Sequence, residues 1–247
     1  MATGIGLKTK LIVCFYNEAM KYKAVIFDWD GTLVDMFEQT YQAMNRCLVA
    51  MGREPWSREY AEAHIGRPDD VLFPELFGDR AEEALAIYRQ AHKELAAASE
   101  GKPPPTIEAA SELLHSLSQR PDVFIGIVSN KPGNMVRDEL KLLGWDHNVH
   151  AVVGAGEAPQ NKPHAAAMDA ILSKSGKPIR PDEVIYIGDS NTDRDFARNS
   201  GSKLLIVGHK VRQGIEPDEQ CDTLRDIQTR LERVFPAQLS ARTPDQQ

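Results

Sequence analysis

The sequence lacks several features that mark specialised classes of protein. It has three cysteines, Cys14, Cys47 and Cys221, without CxxC spacing, which predicts neither a disulfide framework nor a zinc site. No apolar run approaches the ~20 residues that a membrane span requires. Lys and Arg number 29 against 36 Asp and Glu, for a formal net charge of -7. These absences argue against a nucleic-acid or membrane partner, and free thiols favour a cytoplasmic location.

The remaining composition is that of an ordinary globular protein, with 42% hydrophobic and 26% charged residues. A chain of 247 residues fits one large domain or two smaller ones. We expect residues 1–19 to form a flexible extension ahead of a natural start at Met20, and residues 237–247 to form a flexible tail. No pattern specifies the oligomeric state, so a monomer and a homodimer both stay open.

Apolar runs and helical patterns alternate along most of the chain. Four continuous apolar runs predict strands that are buried on both faces, and a weaker fifth run covers residues 149–157. The four runs are "KAVIFDWD", "DVFIGIVSN", "DEVIYIGDS" and "SKLLIVG". Between them, residues 106–119, 133–145 and 163–176 are predicted helices, the first with Thr106 as its N-cap. The alternation predicts an α/β fold with a Rossmann-like parallel sheet sandwiched by helices.

Residues 37–102 interrupt this alternation with helical patterns alone. "LVDM" (33–36) leads into the segment, and "GKPPPT" (101–106) is a stiff return connection that cannot be helical. Two connections that flank a helical module predict a mobile cap over the sheet. We therefore assign residues 20–36 and 103–236 to the core, with an inserted all-helical cap between them.

The stretch "FDWDGTLVD" (27–35) contains candidate catalytic residues at close spacing. Asp28 and Asp30 lie two positions apart at a predicted strand end, so both point to the same side of an extended chain. Asp28 is a candidate nucleophile toward phosphorus, and Asp30 a candidate acid and base for the leaving oxygen and the attacking water. Gly31 lets the chain turn so that amides after Asp28 face phosphoryl oxygens. A bare DxD also fits an acidic turn, but the apolar strand before it and "GTLVD" after it favour catalysis.

Two segments supply candidate phosphate ligands. Ser129 and Asn130 end the second strong strand, in "VSNK", where a hydroxyl and an amide can hold a phosphoryl group. The same two residue types are also favoured helix caps. Lys162, in "NKPH", can neutralise the phosphate and Asp28 together, although an isolated lysine is more often exposed at the surface.

The segment "GDSNTD" supplies candidate metal ligands. Asp189 at a strand end, together with Asp28, makes an all-oxygen site suited to Mg²⁺. Asp193, one helical turn later, would orient Lys162 or a metal-bound water. The pattern also fits a strand–turn–helix cap. Because ligands bind beyond the carboxyl ends of strands in open α/β sheets, we expect these distant segments to meet at one edge.

The ordered segments "DWDGTLVD", "VSNK", "KPHAAAM" and "GDSNTD" resemble those of the haloacid dehalogenase-like hydrolase superfamily. The resemblance runs from about residue 21 to about residue 235, and the helical insertion is similar to the superfamily's first type of cap. The chain is most similar to the phosphoglycolate phosphatase and beta-phosphoglucomutase branch. The resemblance implies a nucleophile at Asp28, an acid/base at Asp30, phosphoryl ligands at Ser129 and Lys162, and Mg²⁺ held by Asp28, the main-chain carbonyl of Asp30 and Asp189, with Asp193 in support.

Substrate selection is expected from the cap. Arg67 follows a glycine in "AHIGRPDD" and is a candidate for binding a substrate carboxylate or second phosphate, with His64 as a weaker candidate. Arg67 is also compatible with a solvated surface position, and His64 with a structural role. Arg46 on a cap helix, and Lys131 and Asn134 near "VSNK", are further candidates for contacts with the substrate.

The function that these features predict is a Mg²⁺-dependent phosphatase that hydrolyses a small phosphorylated metabolite through an aspartyl-phosphate. Phosphoglycolate, a sugar phosphate and a nucleotide all stay open as substrates. A phosphomutase of the beta-phosphoglucomutase type uses the same groups, and a non-catalytic protein-binding scaffold is disfavoured by the four intact segments. The acid at Asp30 disfavours dehalogenases and phosphonatases, which the resemblance implies lack it.

Overall fold

The computed structural model describes residues 21–235, apart from residues 66, 68, 100, 209, 210, 212 and 217. The predicted extension 1–19 and the predicted tail 237–247 lie outside the described residues. Within the described part of the chain, no helix combines the length and the apolar character that crossing a membrane demands.

Six strands form one sheet in the order β3-β2-β1-β4-β5-β6, and every neighbouring pair is parallel. The strands are β1 (Ala24–Phe27), β2 (Phe124–Pro132), β3 (Ala151–Ala155), β4 (Val184–Gly188), β5 (Lys203–Val207) and β6 (Gln220–Cys221). The strand order reverses beside β1, since β2 and β3 lie on one side and β4 to β6 on the other. The carboxyl ends of β1, β2 and β4 therefore border the crevice where such sheets bind ligands.

The insertion between β1 and the rest of the sheet is helical, with no strand among its described residues. It has its own apolar core, in which Met44, Leu48 and Phe73 are buried. Its elements are α1 (Phe37–Ala50), α2 (Arg58–His64), α3 (Asp69–Phe77), the 3₁₀ turn Gly78–Arg80 and α4 (Ala81–Ala98). This confirms the predicted inserted helical module.

Among the described residues of the core, five helices cover both faces of the sheet. They are α5 (Ala110–Ser118), α6 (Gly133–Leu142), α7 (Ala166–Ser173), α8 (Asn191–Ser200) and α9 (Leu224–Val234), with 3₁₀ turns at Asp146–Asn148 and Pro181–Glu183. Alternate residues of β1 point to opposite faces: Val25 and Phe27 pack with α5, α6 and α9, whereas Ala24 and Ile26 pack with α7 and α8. Because both faces are covered, the strands read as continuous apolar runs, and the predicted Rossmann-like sandwich is confirmed.

The return connection differs from the prediction that Thr106 caps a helix. Thr106 instead pairs with Val34 in an antiparallel bridge, and α5 begins at Ala110 after Ala109, whose φ is 68°. The outgoing and returning chains lie side by side here, since the Ile107 amide donates to the Leu33 carbonyl at 3.0 Å. Pairing with the outgoing chain keeps Thr106 extended, so the helix starts later than the pattern suggests.

Candidate active site

Adjacent strand ends bring three predicted site residues together. Asp28 directly follows β1, Asp189 directly follows β4, and Ser129 lies in β2 just after its regular pairing with β3 stops at Val128. The Asp28 amide donates to the Ile187 carbonyl at 2.8 Å, which fixes the backbone just past the strand. All three polar side chains are buried at the carboxyl edge of the sheet.

Lys162 connects this edge to the loop before α7. Its Nζ lies 2.6 Å from Asp28 Oδ1, 2.7 Å from Asp193 Oδ1 and 2.9 Å from the Tyr186 hydroxyl. The Tyr186 hydroxyl also donates to Asp193 Oδ1 at 2.7 Å. A lysine side chain that is only 3% exposed requires such charged and polar partners, because burying an unpaired ammonium is prohibitive. The structure therefore places Lys162 beside Asp28, as the sequence predicts.

Asp193 is fully engaged by protein donors. Its Oδ2 accepts from the Ser190 hydroxyl at 2.5 Å and from the Ser190 amide at 3.1 Å, which completes a capping box on α8. Its Oδ1 accepts from Lys162 and Tyr186. With contacts to both oxygens, Asp193 is placed to orient Lys162.

Burial and the charges of neighbouring groups shift the pKa values of the residues in this cluster. Burial, with the nearby carboxylates of Asp193 and Asp189, raises the pKa of Asp28 well above its ordinary value, although Lys162 opposes the shift. Burial alone would raise the pKa of Asp193 as well, but the contacts with Lys162, Ser190 and Tyr186 lower it overall. Burial would lower the pKa of Lys162, yet Asp193 and Asp28 outweigh it and raise that pKa.

The cluster has the chemistry of a divalent cation site. Carboxylate oxygens of Asp28, Asp189 and Asp193 lie within 4.8 Å of one another, and all three residues are buried. Lys162 forms ion pairs with two of these carboxylates, those of Asp28 and Asp193. Closely spaced carboxylate oxygens are the ligands that a hard divalent ion prefers. A Cβ on Gly31 would lie 2.4 Å from Asp189 Oδ2, so the glycine makes room for this carboxylate.

Asp30 lies beside a cavity that Asp189 of the cluster also lines. It lines a cavity of about 640 Å³ with Gly31, Asp189 and Arg67, and its side chain is 34% exposed. Its Oδ1 accepts from Lys131 Nζ at 3.2 Å. Loss of hydration raises the pKa of Asp30, and Lys131 opposes that shift. A carboxyl group with a raised pKa at a cavity wall suits proton transfer.

Ser129 and Asn130 have different surroundings. Ser129 Oγ accepts from the Lys131 amide at 3.1 Å, at the buried strand end. Asn130 is exposed, and its side-chain amide donates to the Lys162 carbonyl at 3.1 Å. Ser129 is thus buried at the carboxyl edge of the sheet, whereas the Asn130 side chain binds the main chain of the loop that carries Lys162.

The structure brings one of the two predicted cap residues to the cavity. Arg67 lines it and forms an ion pair with Glu75, with Nη2 2.6 Å from Oε2. His64 does not line it; its ring stacks on Tyr60 at 3.8 Å between centroids, and its Nδ1 contacts the Tyr60 carbonyl at 2.7 Å. Arg46 forms an exposed pair with Glu94 at 3.6 Å.

Sequence reasoning missed three residues of the site. Tyr186 contacts Lys162 from the middle of β4, and Tyr88 on α4 lines the cavity. Glu139 on α6 contacts Lys131 at 2.6 Å. A phenol within an otherwise aliphatic strand is one available signal for Tyr186, because a buried hydroxyl needs a partner. Tyr88 and Glu139 read as ordinary amphipathic helix residues.

Comparison with known proteins agrees with this geometry. The haloacid dehalogenase-like hydrolase family matches residues 25–207. A phosphoglycolate phosphatase of Xylella fastidiosa (strain Temecula1) is 30% identical over 208 residues, which cover 82% of this chain and 88% of that protein.

Solved structures share the fold. A haloacid dehalogenase-like family protein from Streptococcus pneumoniae matches with a TM-score of 0.66 and 23% identity, over 85% of this chain and 99% of that one. A HAD-superfamily hydrolase of subfamily IA, variant 1, from Geobacter sulfurreducens PCA matches with a TM-score of 0.59 and 27% identity, over 85% and 97%. The chain belongs to the haloacid dehalogenase-like hydrolases, in their phosphoglycolate phosphatase-like branch, and is a phosphoric monoester hydrolase.

Proposed function

We propose that the enzyme is a Mg²⁺-dependent phosphatase that hydrolyses a small phosphate ester through an aspartyl-phosphate on Asp28. The observation that carries the proposal is the buried cluster in which Asp28 lies 2.6 Å from Lys162 and close to Asp189. A carboxylate with these neighbours is held in place, and its repulsion of an incoming phosphate is offset by the ammonium.

In this mechanism a carboxylate oxygen of Asp28 forms a bond to phosphorus while the bond from phosphorus to the ester oxygen breaks. Asp30 gives a proton to the leaving oxygen. It then takes a proton from the water that attacks the aspartyl-phosphate and releases inorganic phosphate. Lys162 and the Ser129 hydroxyl hold the phosphoryl oxygens during both steps.

Mg²⁺ would be held by Asp28, the main-chain carbonyl of Asp30 and Asp189, with Asp193 in support. When bound, it would stabilise the charge on the transferring phosphoryl group and orient that group for in-line attack. The three buried carboxylates of the cluster support a divalent ion, and the all-oxygen donor set supports Mg²⁺.

The substrate that we propose is phosphoglycolate or a similarly small anionic ester. Arg67 lies in the cavity that Asp30 lines, where its guanidinium can bind a carboxylate on the leaving group. The relative from Xylella fastidiosa carries the name of that activity. A cytoplasmic location is part of the proposal, supported by the free thiols of Cys47 and Cys221.

The test is a panel of phosphate esters that includes phosphoglycolate, sugar phosphates and p-nitrophenyl phosphate, assayed with Mg²⁺ and with EDTA. We expect turnover of at least one small ester by the wild type with Mg²⁺, and none by Asp28→Asn. Asp195→Asn, which changes a 46% exposed carboxylate on α8, is the matched control and should stay active. Full activity in EDTA or in Asp28→Asn would refute the mechanism. Activity that depends on a sugar bisphosphate would identify a phosphomutase instead.

A further inference from the structure

Four residues form a continuous polar network beside the cavity. Lys131 Nζ lies 3.2 Å from Asp30 Oδ1 and 2.6 Å from Glu139 Oε1. Glu139 Oε2 also accepts from the indole nitrogen of Trp29 at 2.6 Å. The network, Asp30–Lys131–Glu139–Trp29, therefore links the loop after β1, the end of β2 and helix α6.

The residues of the network differ in exposure, from a buried indole to a carboxyl group at the cavity wall. Trp29 lies between two aspartates in the chain, so it points to the opposite side and is fully buried, in edge contact with Trp145. The side chains of Glu139 and Lys131 are 20% and 10% exposed, and that of Asp30 is 34% exposed. A buried indole thus contacts the Glu139 carboxylate, which contacts the Lys131 ammonium, which in turn contacts the Asp30 carboxyl group at the cavity wall.

Lys131 is already committed to protein partners. Its ammonium lies between two carboxylates, and its main-chain amide donates to Ser129 Oγ at 3.1 Å. Within a mostly dehydrated setting such charge-assisted contacts are strong and directional. Holding Asp30 through Oδ1 restricts the rotation of its carboxyl group and leaves Oδ2 as the oxygen that can exchange a proton with the ester.

We propose that Lys131, anchored by Glu139 and Trp29, is a positioning residue that holds Asp30 in the geometry for proton transfer to the leaving group. The inference rests on the proposed function, because it assigns Lys131 a role only if Asp30 is the acid. Lys131 acts through Asp30 and does not bind the phosphoryl group. Removal of the Lys131 ammonium should therefore lower kcat/KM more for esters whose leaving group needs a proton than for esters whose leaving group does not.

The test compares two aryl esters with different leaving groups. Phenol, like the tyrosine side chain, has a pKa of about 10 and leaves poorly without a proton, whereas p-nitrophenol is far more acidic and leaves readily. We expect Lys131→Met to lower kcat/KM for phenyl phosphate roughly tenfold more than for p-nitrophenyl phosphate, a part of the ~10²–10⁴-fold that general acid catalysis supplies. Lys141→Met, which changes a 68% exposed lysine on helix α6, should alter neither value.

A second arm asks whether the effect passes through Asp30. Asp30→Asn should show the same preference for p-nitrophenyl phosphate, and adding Lys131→Met to it should leave the ratio of the two kcat/KM values unchanged. Equal losses on both esters, or a further change of ratio in the double variant, would overturn the positioning role. Asp30→Asn with undiminished turnover of phenyl phosphate would instead refute the proposed function.

Two anchoring variants keep the inference testable if Lys131→Met does not fold. Glu139→Gln removes the charge that holds Lys131 but keeps an acceptor for the indole, and Trp29→Phe removes the indole donor but keeps an aromatic ring. Each folded variant, checked by thermal unfolding, should lose phenyl phosphate activity selectively, with Glu139→Gln affected more. Selectivity that matches the wild type in both would overturn the proposal.

Discussion

Gly31 decides whether Asp189 can lie beside Asp28. Its φ is 85°, a conformation that residues with a side chain rarely adopt, and a Cβ there would meet Asp189 Oδ2 at 2.4 Å. Gly52 in the insertion has a similar φ of 74° but open space around it. Alanine at Gly52 would add backbone strain alone, whereas alanine at Gly31 would add the same strain and also take the space of the Asp189 carboxylate.

The first prediction uses this pair. Gly31→Ala and Gly52→Ala should each lower the free energy of unfolding by about 1–2 kcal/mol, because both force alanine into the left-handed region. Gly31→Ala alone should also weaken Mg²⁺ binding and abolish most phosphatase activity, since the methyl group displaces Asp189. Calorimetric titration with Mg²⁺ and thermal unfolding measure the two effects. Undiminished Mg²⁺ binding by Gly31→Ala would contradict this account of the site.

Residues at strand ends were predictable from sequence, and residues that contact them from helices were not. Asp28, Ser129 and Asp189 follow long apolar runs, so the rule that ligands bind at the carboxyl ends of strands places them together. Glu139 is one of many glutamates on amphipathic helices, and its contact with Lys131 depends on how α6 packs against the sheet. Sequence spacing carries no information about that packing.

At the scale of elements, the connection between α2 and α3 brings the insertion to the site. Arg67 lies in this connection and lines the cavity, paired with Glu75 across eight positions of the chain. Arg46 on α1 has the same charge and an exposed partner, and it does not line the cavity. The two arginines thus differ in position but not in chemistry.

The second prediction compares these arginines. Arg67→Ala should lower kcat/KM for the preferred small anionic ester about tenfold, the worth of one charged hydrogen bond, and should change p-nitrophenyl phosphate hydrolysis much less. Arg46→Ala should leave both substrates unaffected. Steady-state kinetics on the two substrates measure the difference. If Arg67→Ala impairs both substrates equally, Arg67 does not select the leaving group.

The long strands and helices were predictable from the sequence, and the short ones were not. The five predicted strands are present because each is buried on both faces and therefore continuously apolar. Strand β6 has two residues, and α2 has seven, so neither is long enough to show a period. The late start of α5 reflects the pairing of Thr106 with Val34, a contact between segments 72 positions apart that local pattern cannot reveal.

At the scale of the whole molecule, the protein has separate apolar cores joined by a narrow connection. The insertion buries Met44, Leu48 and Phe73 in a cluster of its own, apart from the two clusters on the faces of the sheet. The outgoing and returning chains are paired where the Asp35 amide donates to the Pro105 carbonyl at 2.8 Å. Separate apolar cores on a paired connection suit a hinge, because motion there disrupts neither core.

The third prediction is that a bound phosphoryl analogue draws the insertion toward the sheet. Mg²⁺ with beryllium fluoride, which can mimic the phosphorylated form of Asp28, should slow amide hydrogen exchange in residues 33–36 and 103–107 and in α4. The reason is that Tyr88 on α4 and Arg67 line the same cavity as Asp30, so a ligand there contacts both the insertion and the core. Asp28→Asn, which removes the group that beryllium fluoride modifies, is the control and should show no slowing. Exchange that changes at the strand ends but not in the insertion would mean that the insertion and the core do not respond together, and substrate selection would then have to come from the core alone.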